Sequence, residues 1–397
     1  MAPLLTVEEA WQQIRARVQP LSSETVSLAT AAGRVLADDA RAAVDLPPFP
    51  SSAMDGFAVR TEDTPGRLPV VERIAAGGPA TRGLAPGESM AIATGGVVPD
   101  GADAVVPIEL VVEVDNSIEV EQRPEPGAHV RPRGGDLAAG DVVVQSGTLL
   151  RAAELGALAA AGVGEVACAR RPRAAVVTTG TELRPPGEAL EPGQIFEANG
   201  VMLAAALATA GAVVSPSASA ADDADAHRAV LARGLEADVL VTSGGVSVGP
   251  HDLVRAIAAE LGVEEVFWRV AVKPGKPISF GVRGGTLVFG LPGNPVSSLV
   301  CFELFVRPAV LALQGAREPG PIFAAGELAT AVRRNPERDE FLRARARLDG
   351  GRVMLEPLTG QESHMIARAA AADVLVLAPR GDGELAQGTA VRYLPLR

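Results

Sequence analysis

The stretch ADVLVTSGGVSVGPHDLVRAIAAEL, residues 237–261, decides the fold class. It opens on an apolar run, Val239–Val241, passes through a Gly-rich turn, and continues from Pro250 with apolar residues at helical spacing. A buried strand feeding a helix through a glycine turn is one βα unit. Its neighbours repeat the theme. AAVVTTG (174–180) is another buried strand ending in glycine, Val213-Val214 begins a further one, and VFWRVAV, ISFGV and TLVFGLPG follow. Helices are predicted from Asn199 through VMLAAALATA, from an Asp222 cap to Arg233, and through NPVSSLVCFELFV. Apolar strands alternating with helices predict a doubly wound, mostly parallel α/β domain over 173–318.

Outward from this domain the texture changes. Thr6 and Glu9 form a capping-box pattern, and Val7, Trp11, Ile14 and Val18 mark an amphipathic helix ending before Pro20. From Asp45 to Gly147 proline and glycine are dense and the apolar runs short, which reads as β-rich. Residues 149–162 are helical again. The expected organisation is a discontinuous N-terminal helical/β domain (1–46 plus 141–172) interrupted by a β-rich insertion (47–140). A small C-terminal β-barrel (319–397) completes a multidomain α/β chain. In that last region 341–348 alternates strictly, with Arg343, Arg345 and Arg347 on one face and Asp349-Gly350-Gly351 as a turn.

Composition narrows the function. A chain of 397 residues is too long for one core. Its net charge of −12 argues against non-specific binding to nucleic acid or an anionic membrane. No 18-residue apolar run is free of charges or helix breakers, and the N-terminus lacks a signal-peptide pattern, so the expected location is the cytoplasm. Two cysteines, Cys168 and Cys301, exclude a disulfide scaffold and read as buried free thiols. Four histidines (129, 227, 251, 364) show no metal-ligand spacing, and His364 reads as a hydrogen-bonding residue.

Ligands in doubly wound sheets bind at the carboxyl ends of strands. Those ends carry Thr179–Glu182, Ser243–Gly249, Lys273–Lys276 and Pro292–Asn294. The SGGVSVG turn suits an anion against backbone N–H groups, or is a plain turn. Glu182 and Asp252 beside a phosphate would seat Mg²⁺, although Asp252 alone is equally a first-turn residue complementing the helix dipole. In LPGNPVSS, Asn294 suits an N-cap and Pro295 the first helical position. The chain holds 36 basic residues but only two lysines, Lys273 and Lys276, in KPGKP. Lysine is a compact charge and arginine a planar fork, so this usage favours a functional pair over two solvated turn charges.

PPFPSSAMDGFAVR (47–60), ATGGVVPDGADAVVPIE (93–109), VRPRGGDLAAGDVV (130–143), SGGVSVGPHD (243–252), VKPGKPISFG (272–281), LPGNPVSS (291–298) and GQESHM (361–366) together resemble the molybdopterin molybdenumtransferase (MoeA) family, which includes the C-terminal domain of gephyrin. The resemblance runs in order from residue 6 to the end. It implies the last step of molybdenum cofactor synthesis: molybdate and adenylylated molybdopterin react, with Mg²⁺, to give the cofactor and AMP. By motif, Glu182 and Asp252 resemble the acidic residues of a Mg²⁺–nucleotide site, beside Ser243, Gly244, Gly245 and Ser247, and Asp222 a further acidic site residue. Lys273, Lys276, Arg343 and Ser363 resemble the groups around the oxyanion, and Pro292, Gly293 and Pro295 the pocket floor. Asp55, Thr94 and Asp136 lie on the insertion, which the resemblance assigns to the partner's side of the cleft in a homodimer, with Arg131 and Arg133 facing the ligand. Glu362 stands where the family has glycine, Phe57 where it has tyrosine, and Pro250-His251 is unusual before Asp252. The rival readings are a molybdopterin adenylyltransferase, a tungstate-handling paralogue, and a non-catalytic gephyrin-like scaffold.

Overall fold

The computed structural model describes residues 4–220, 223–245 and 253–396. Its centre is a seven-stranded sheet. Arg173–Thr179 pairs in parallel with Val213–Val214, Ala218–Ala220 and Val239–Ser243, and Val239–Ser243 in turn with Thr286–Leu291. Beyond them the sheet turns antiparallel through Ser279–Arg283 and Glu264–Trp268. Alternation along each strand divides its side chains between two cores. Ala174, Val176, Val239, Val241, Leu287 and Phe289 face one layer of helices. Val177, Leu240 and Val288 face the helices Ala224–Gly234 and Leu253–Glu260 on the other side. Register sets the site: Thr178 lies opposite Ser243, and Ser243 opposite Leu291, so the three strands finish level.

The helical rod Pro295–Leu313 runs through the larger core, with a π turn at Phe302–Val306. At 19 residues and a mean hydropathy of 1.8 it is long and apolar enough to cross a membrane, but its most apolar window is 83% buried inside the fold. It is a core helix. The helix Val7–Arg15, with the expected capping box, buries Ala10, Trp11 and Ile14 in this same core. Its apolar face thus packs on the α/β core, although its segment lies in the 1–46 stretch that the sequence reading groups with 141–172. An amphipathic stripe shows that a helix has an apolar neighbour, not which one.

The two flanks of the insertion do meet. Ser23–Ser27 pairs antiparallel with Glu165–Ala169, and Ala40–Arg41 with Val142–Val144, over a core of Val26, Leu36, Leu150, Leu158 and Cys168. The insertion between them carries a six-stranded sheet. Phe57 is 1% exposed in its core, a place where a hydroxyl would need a buried partner. Gly56 beside it lies so close to Val106 that a Cβ would collide with the Val106 carbonyl. At the C-terminus five strands close into a barrel: Asp339–Asp349, Arg352–Pro357, Ala324–Leu328, Ala390–Pro395 and Val374–Ala378, the last pairing back onto the first. The short strand Val272–Lys273 joins this barrel in parallel with Asp339–Glu340, so the lysine turn bridges two units.

Two local expectations move. The helix Ala224–Gly234 is capped by Asp223, whose carboxylate accepts from the N–H groups of Asp225 and Ala226. Asp222 was expected there, and it lies outside the described residues, as do Ser247 and Asp252. The thiols of Cys168 and Cys301 are free and buried, as expected, and burial pushes both pKa values up.

Candidate active site

The level ends of three parallel strands make the floor. After Val239–Ser243 the chain turns through Gly244 and Gly245, at φ +94° and +66°. Both are conformations that glycine adopts without strain. They are also close approaches: a Cβ on Gly244 would sit 2.7 Å from Thr179 Oγ1, and one on Gly245 2.5 Å from Val254 Cγ2. The Gly244 N–H donates to the Leu291 carbonyl (3.1 Å), drawing this turn against Pro292 and Gly293.

Asn199 locks these turns together. Its Nδ2 donates to Ser243 Oγ (2.8 Å) and to the Gly293 carbonyl (2.6 Å). The Ser243 hydroxyl donates to the Pro292 carbonyl (3.3 Å), and Ser298 Oγ donates to the same carbonyl (2.5 Å). The sequence reading used Asn199 only as a helix start and left Ser298 without a role. An asparagine opening a helix has a sufficient local explanation, so nothing in its own segment pointed to strand ends 44 and 94 residues away.

The loop GQESHM docks on the same helix start. The Val296 N–H donates to the Ser363 carbonyl (3.0 Å), and Asn294 Nδ2 to Ser363 Oγ (2.8 Å). Asn294 occupies the N-cap position as expected, but its side chain makes no cap bond; it reaches across to the loop instead. Behind the loop sits Arg343, 1% exposed. Its Nε donates to Gln361 Oε1 (3.3 Å), one terminal nitrogen to the Met365 carbonyl (2.9 Å), and the other to the carbonyls of Gly360 (2.9 Å) and Glu362 (3.2 Å). Burial pulls its pKa down, and the Glu362 charge acts against that. The guanidinium thus holds the loop that presents Ser363, the residue grouped with it by resemblance. Alternation correctly put Arg343, Arg345 and Arg347 on one face, but only Arg343 lies under the loop. Glu362 is exposed. His364 lends its carbonyl to the Ile366 N–H.

The lysine turn leans on the same helix. Gly275, at φ +116°, packs so closely that a Cβ would lie 2.5 Å from Cys301 Sγ. That thiol in turn reaches the Gly275 carbonyl (3.5 Å). Lys273 Nζ is 3.0 Å from Glu340 Oε1. Lys276 is half-buried, and no ion pair links it to another of the described residues. Pro292 is buried, Pro295 half-buried and Gly293 exposed.

Other expected site residues stand apart. Glu182 is exposed, its carboxylate lying over Gly180 just past the first strand end. Among the described residues no three metal-ligating side chains converge. Asp55 and Thr94 form a pair on the insertion: Asp55 Oδ1 accepts from the Thr94 N–H (2.6 Å) and hydroxyl (2.9 Å). Those bonds, the backbone one foremost, hold the Asp55 carboxyl below its ordinary pKa. Asp136 is exposed, with its N–H on the Leu46 carbonyl, while nearby Arg133 pairs with Asp45 (2.5 Å) and Arg131 is exposed. No hydrogen bond or ion pair among the described residues ties Asp55, Thr94 or Asp136 to the strand ends.

A doubly wound domain with its candidate ligand turns at one edge, an interrupting β-rich insertion and a closing barrel define a multidomain α/β protein. Residues 175–312 match a family described as a probable molybdopterin binding domain, 5–162 the MoeA N-terminal region (domain I and II), and 325–396 the MoeA C-terminal region (domain IV). The chain is 38% identical over 406 residues to molybdopterin molybdenumtransferase 2 of Mycobacterium tuberculosis, covering 98% of this chain and 99% of that one. It is 32% identical to the molybdopterin molybdenumtransferase of Haemophilus influenzae, covering 99% and 98%. A crystal structure of a molybdopterin biosynthesis MoeA protein from Pyrococcus horikoshii superposes with a TM-score of 0.81 at 32% identity, covering 99% of both chains. The chain belongs to the molybdopterin molybdenumtransferase (MoeA) family, transferases of molybdenum cofactor biosynthesis.

Proposed function

We propose that this chain inserts molybdate into adenylylated molybdopterin with Mg²⁺-dependent release of AMP, and that it does so as a homodimer. One observation carries the reading: the Ser243–Gly245 turn, the Pro292–Pro295 turn and the Ser363 loop meet at one sheet edge, with the lysine turn on the same helix. Backbone N–H groups at a strand-to-helix glycine turn suit the phosphates of a nucleotide. The ammonium groups of Lys273 and Lys276 and the Ser363 hydroxyl suit a tetrahedral dianion. Held side by side, the two substrates react without a diffusive encounter, and the fixed cations offset charge as the phosphoanhydride opens.

Mg²⁺ bound through substrate phosphates needs only one or two protein carboxylates. Glu182 supplies one, and the resemblance assigns Asp252 as a second. The ion would withdraw charge from the phosphate oxygens. The separation of Asp55, Thr94 and Asp136 from the strand ends supports the dimer, since a partner's insertion then completes the cleft. Asp222 and Ser247 join the site by resemblance alone.

The test gives purified protein adenylylated molybdopterin, Mg²⁺, and either molybdate or tungstate. AMP should appear only when an oxyanion is present, and chelation of Mg²⁺ should stop it. Release that ignores the oxyanion, or none with the nucleotide bound, overturns the reading.

A further inference from the structure

We infer that Glu340 is a built-in counter-anion for Lys273 that weakens the hold on a tetrahedral dianion enough for it to be passed on. The inference rests on Lys273 being an oxyanion ligand, as proposed above. Strand pairing sets Lys273 directly opposite Glu340, and their charged groups meet at 3.0 Å. The partners are unequally placed: the Glu340 side chain is 11% exposed, that of Lys273 43%. The carboxylate is thus fixed inside while the ammonium stands at an opening.

That opening is a cavity of about 550 Å³ between the lysine turn and the barrel, lined by Lys273, Arg333, Arg334, Glu340 and Gln361 among others. Arg334 is anchored, its Nε on the Pro379 carbonyl (3.1 Å) and a terminal nitrogen on that of Arg380 (2.5 Å). Gln361 is taken up by Arg343. Arg333 is exposed. Three cations against one carboxylate leave the lining two charges positive, the complement of a dianion. An ammonium has three donors, so Nζ can keep one on Glu340 and offer the others to an incoming oxyanion. Binding the substrate oxyanion too tightly would lower KM without raising turnover. A fixed negative charge beside the lysine limits that affinity.

The experiment titrates molybdate, and sulfate as a dianion of equal charge, into wild type, Glu340→Gln, Lys273→Ala and Arg333→Gln by calorimetry, with kcat and KM for molybdate measured in parallel. Glu340→Gln should bind molybdate about tenfold more tightly, since one repelling charge near the anion is gone. Its KM and kcat should both fall. A merely structural role for Glu340 would instead weaken binding. Arg333→Gln, which leaves the Lys273–Glu340 pair intact, should bind about tenfold more weakly and serves if Glu340→Gln does not fold. Unchanged or weaker binding in Glu340→Gln, or unchanged binding in Arg333→Gln, overturns the inference. Unchanged binding in Lys273→Ala overturns the oxyanion reading itself.

Discussion

The Asn294 amide donates to the Ser363 hydroxyl across 2.8 Å, joining two turns 69 residues apart. It fixes where one candidate oxyanion ligand points, from a residue whose local pattern announced only a helix cap. Asn294→Ala should cost about 1 kcal/mol of stability, the usual net worth of one such bond. Its kinetic effect should be larger, with KM for molybdate rising several-fold. In a double-mutant cycle with Ser363→Ala the two effects should be strongly non-additive. Additive effects on molybdate KM would show that the hydrogen bond does not position Ser363.

Lys276→Arg keeps the charge and changes its shape. A planar fork cannot take the place of a compact ammonium in a half-buried turn that packs against the helix carrying Cys301. Oxyanion-dependent AMP release should fall by about an order of magnitude or more, while the melting temperature stays within about 2 °C because no described ion pair is broken. Near-normal turnover would show that charge alone suffices.

The buried fork of Arg343 makes a different prediction. Replacing it with methionine keeps bulk but leaves the carbonyls of Gly360, Glu362 and Met365 without their donor. The loss should be about 3 kcal/mol, as for other buried charged networks. Lysine at this position restores the charge but not the bidentate reach, so it should recover only part of the stability. Hydrogen exchange should rise in residues 360–365 well before the barrel strands. Full stability in Arg343→Lys would mean that the fork geometry is not what holds the loop.

The contrast between these residues explains what the sequence disclosed. The parallel strands, the helix at Pro295 and the Asp349–Gly351 hairpin were legible because periodicity and turn chemistry are local. So was the sheet edge that gathers the candidate turns, because it follows from sheet topology. Long-range pairings were not legible. Asn199 with Ser243, Asn294 with Ser363 and Lys273 with Glu340 depend on register between distant segments, and each residue had an adequate local reason to be where it is. Arg343 shows the same limit: alternation chose its face, but only the docking of a separate loop buried Arg343 while Arg345 and Arg347 on that face stay exposed. So does the first helix: its apolar stripe was legible, and the core it packs on was not.

Asp55 and Thr94 give a pH dependence that can be worked through in sign. The Thr94 N–H, and then its hydroxyl, favour the ionised carboxylate and lower its pKa from the ordinary 3.8 in the folded protein. A depressed folded-state pKa means the unfolded chain takes up the proton first as pH falls. The stabilisation is therefore fully present above the unfolded value and is lost as pH drops through the folded one. Asp55→Asn removes the titration and keeps an acceptor oxygen. The urea midpoint of wild type should exceed that of Asp55→Asn at pH 6, and the gap should close progressively below pH 3.8. A gap of constant size across that range would mean that the two Thr94 bonds do not discriminate between the charged and neutral carboxyl.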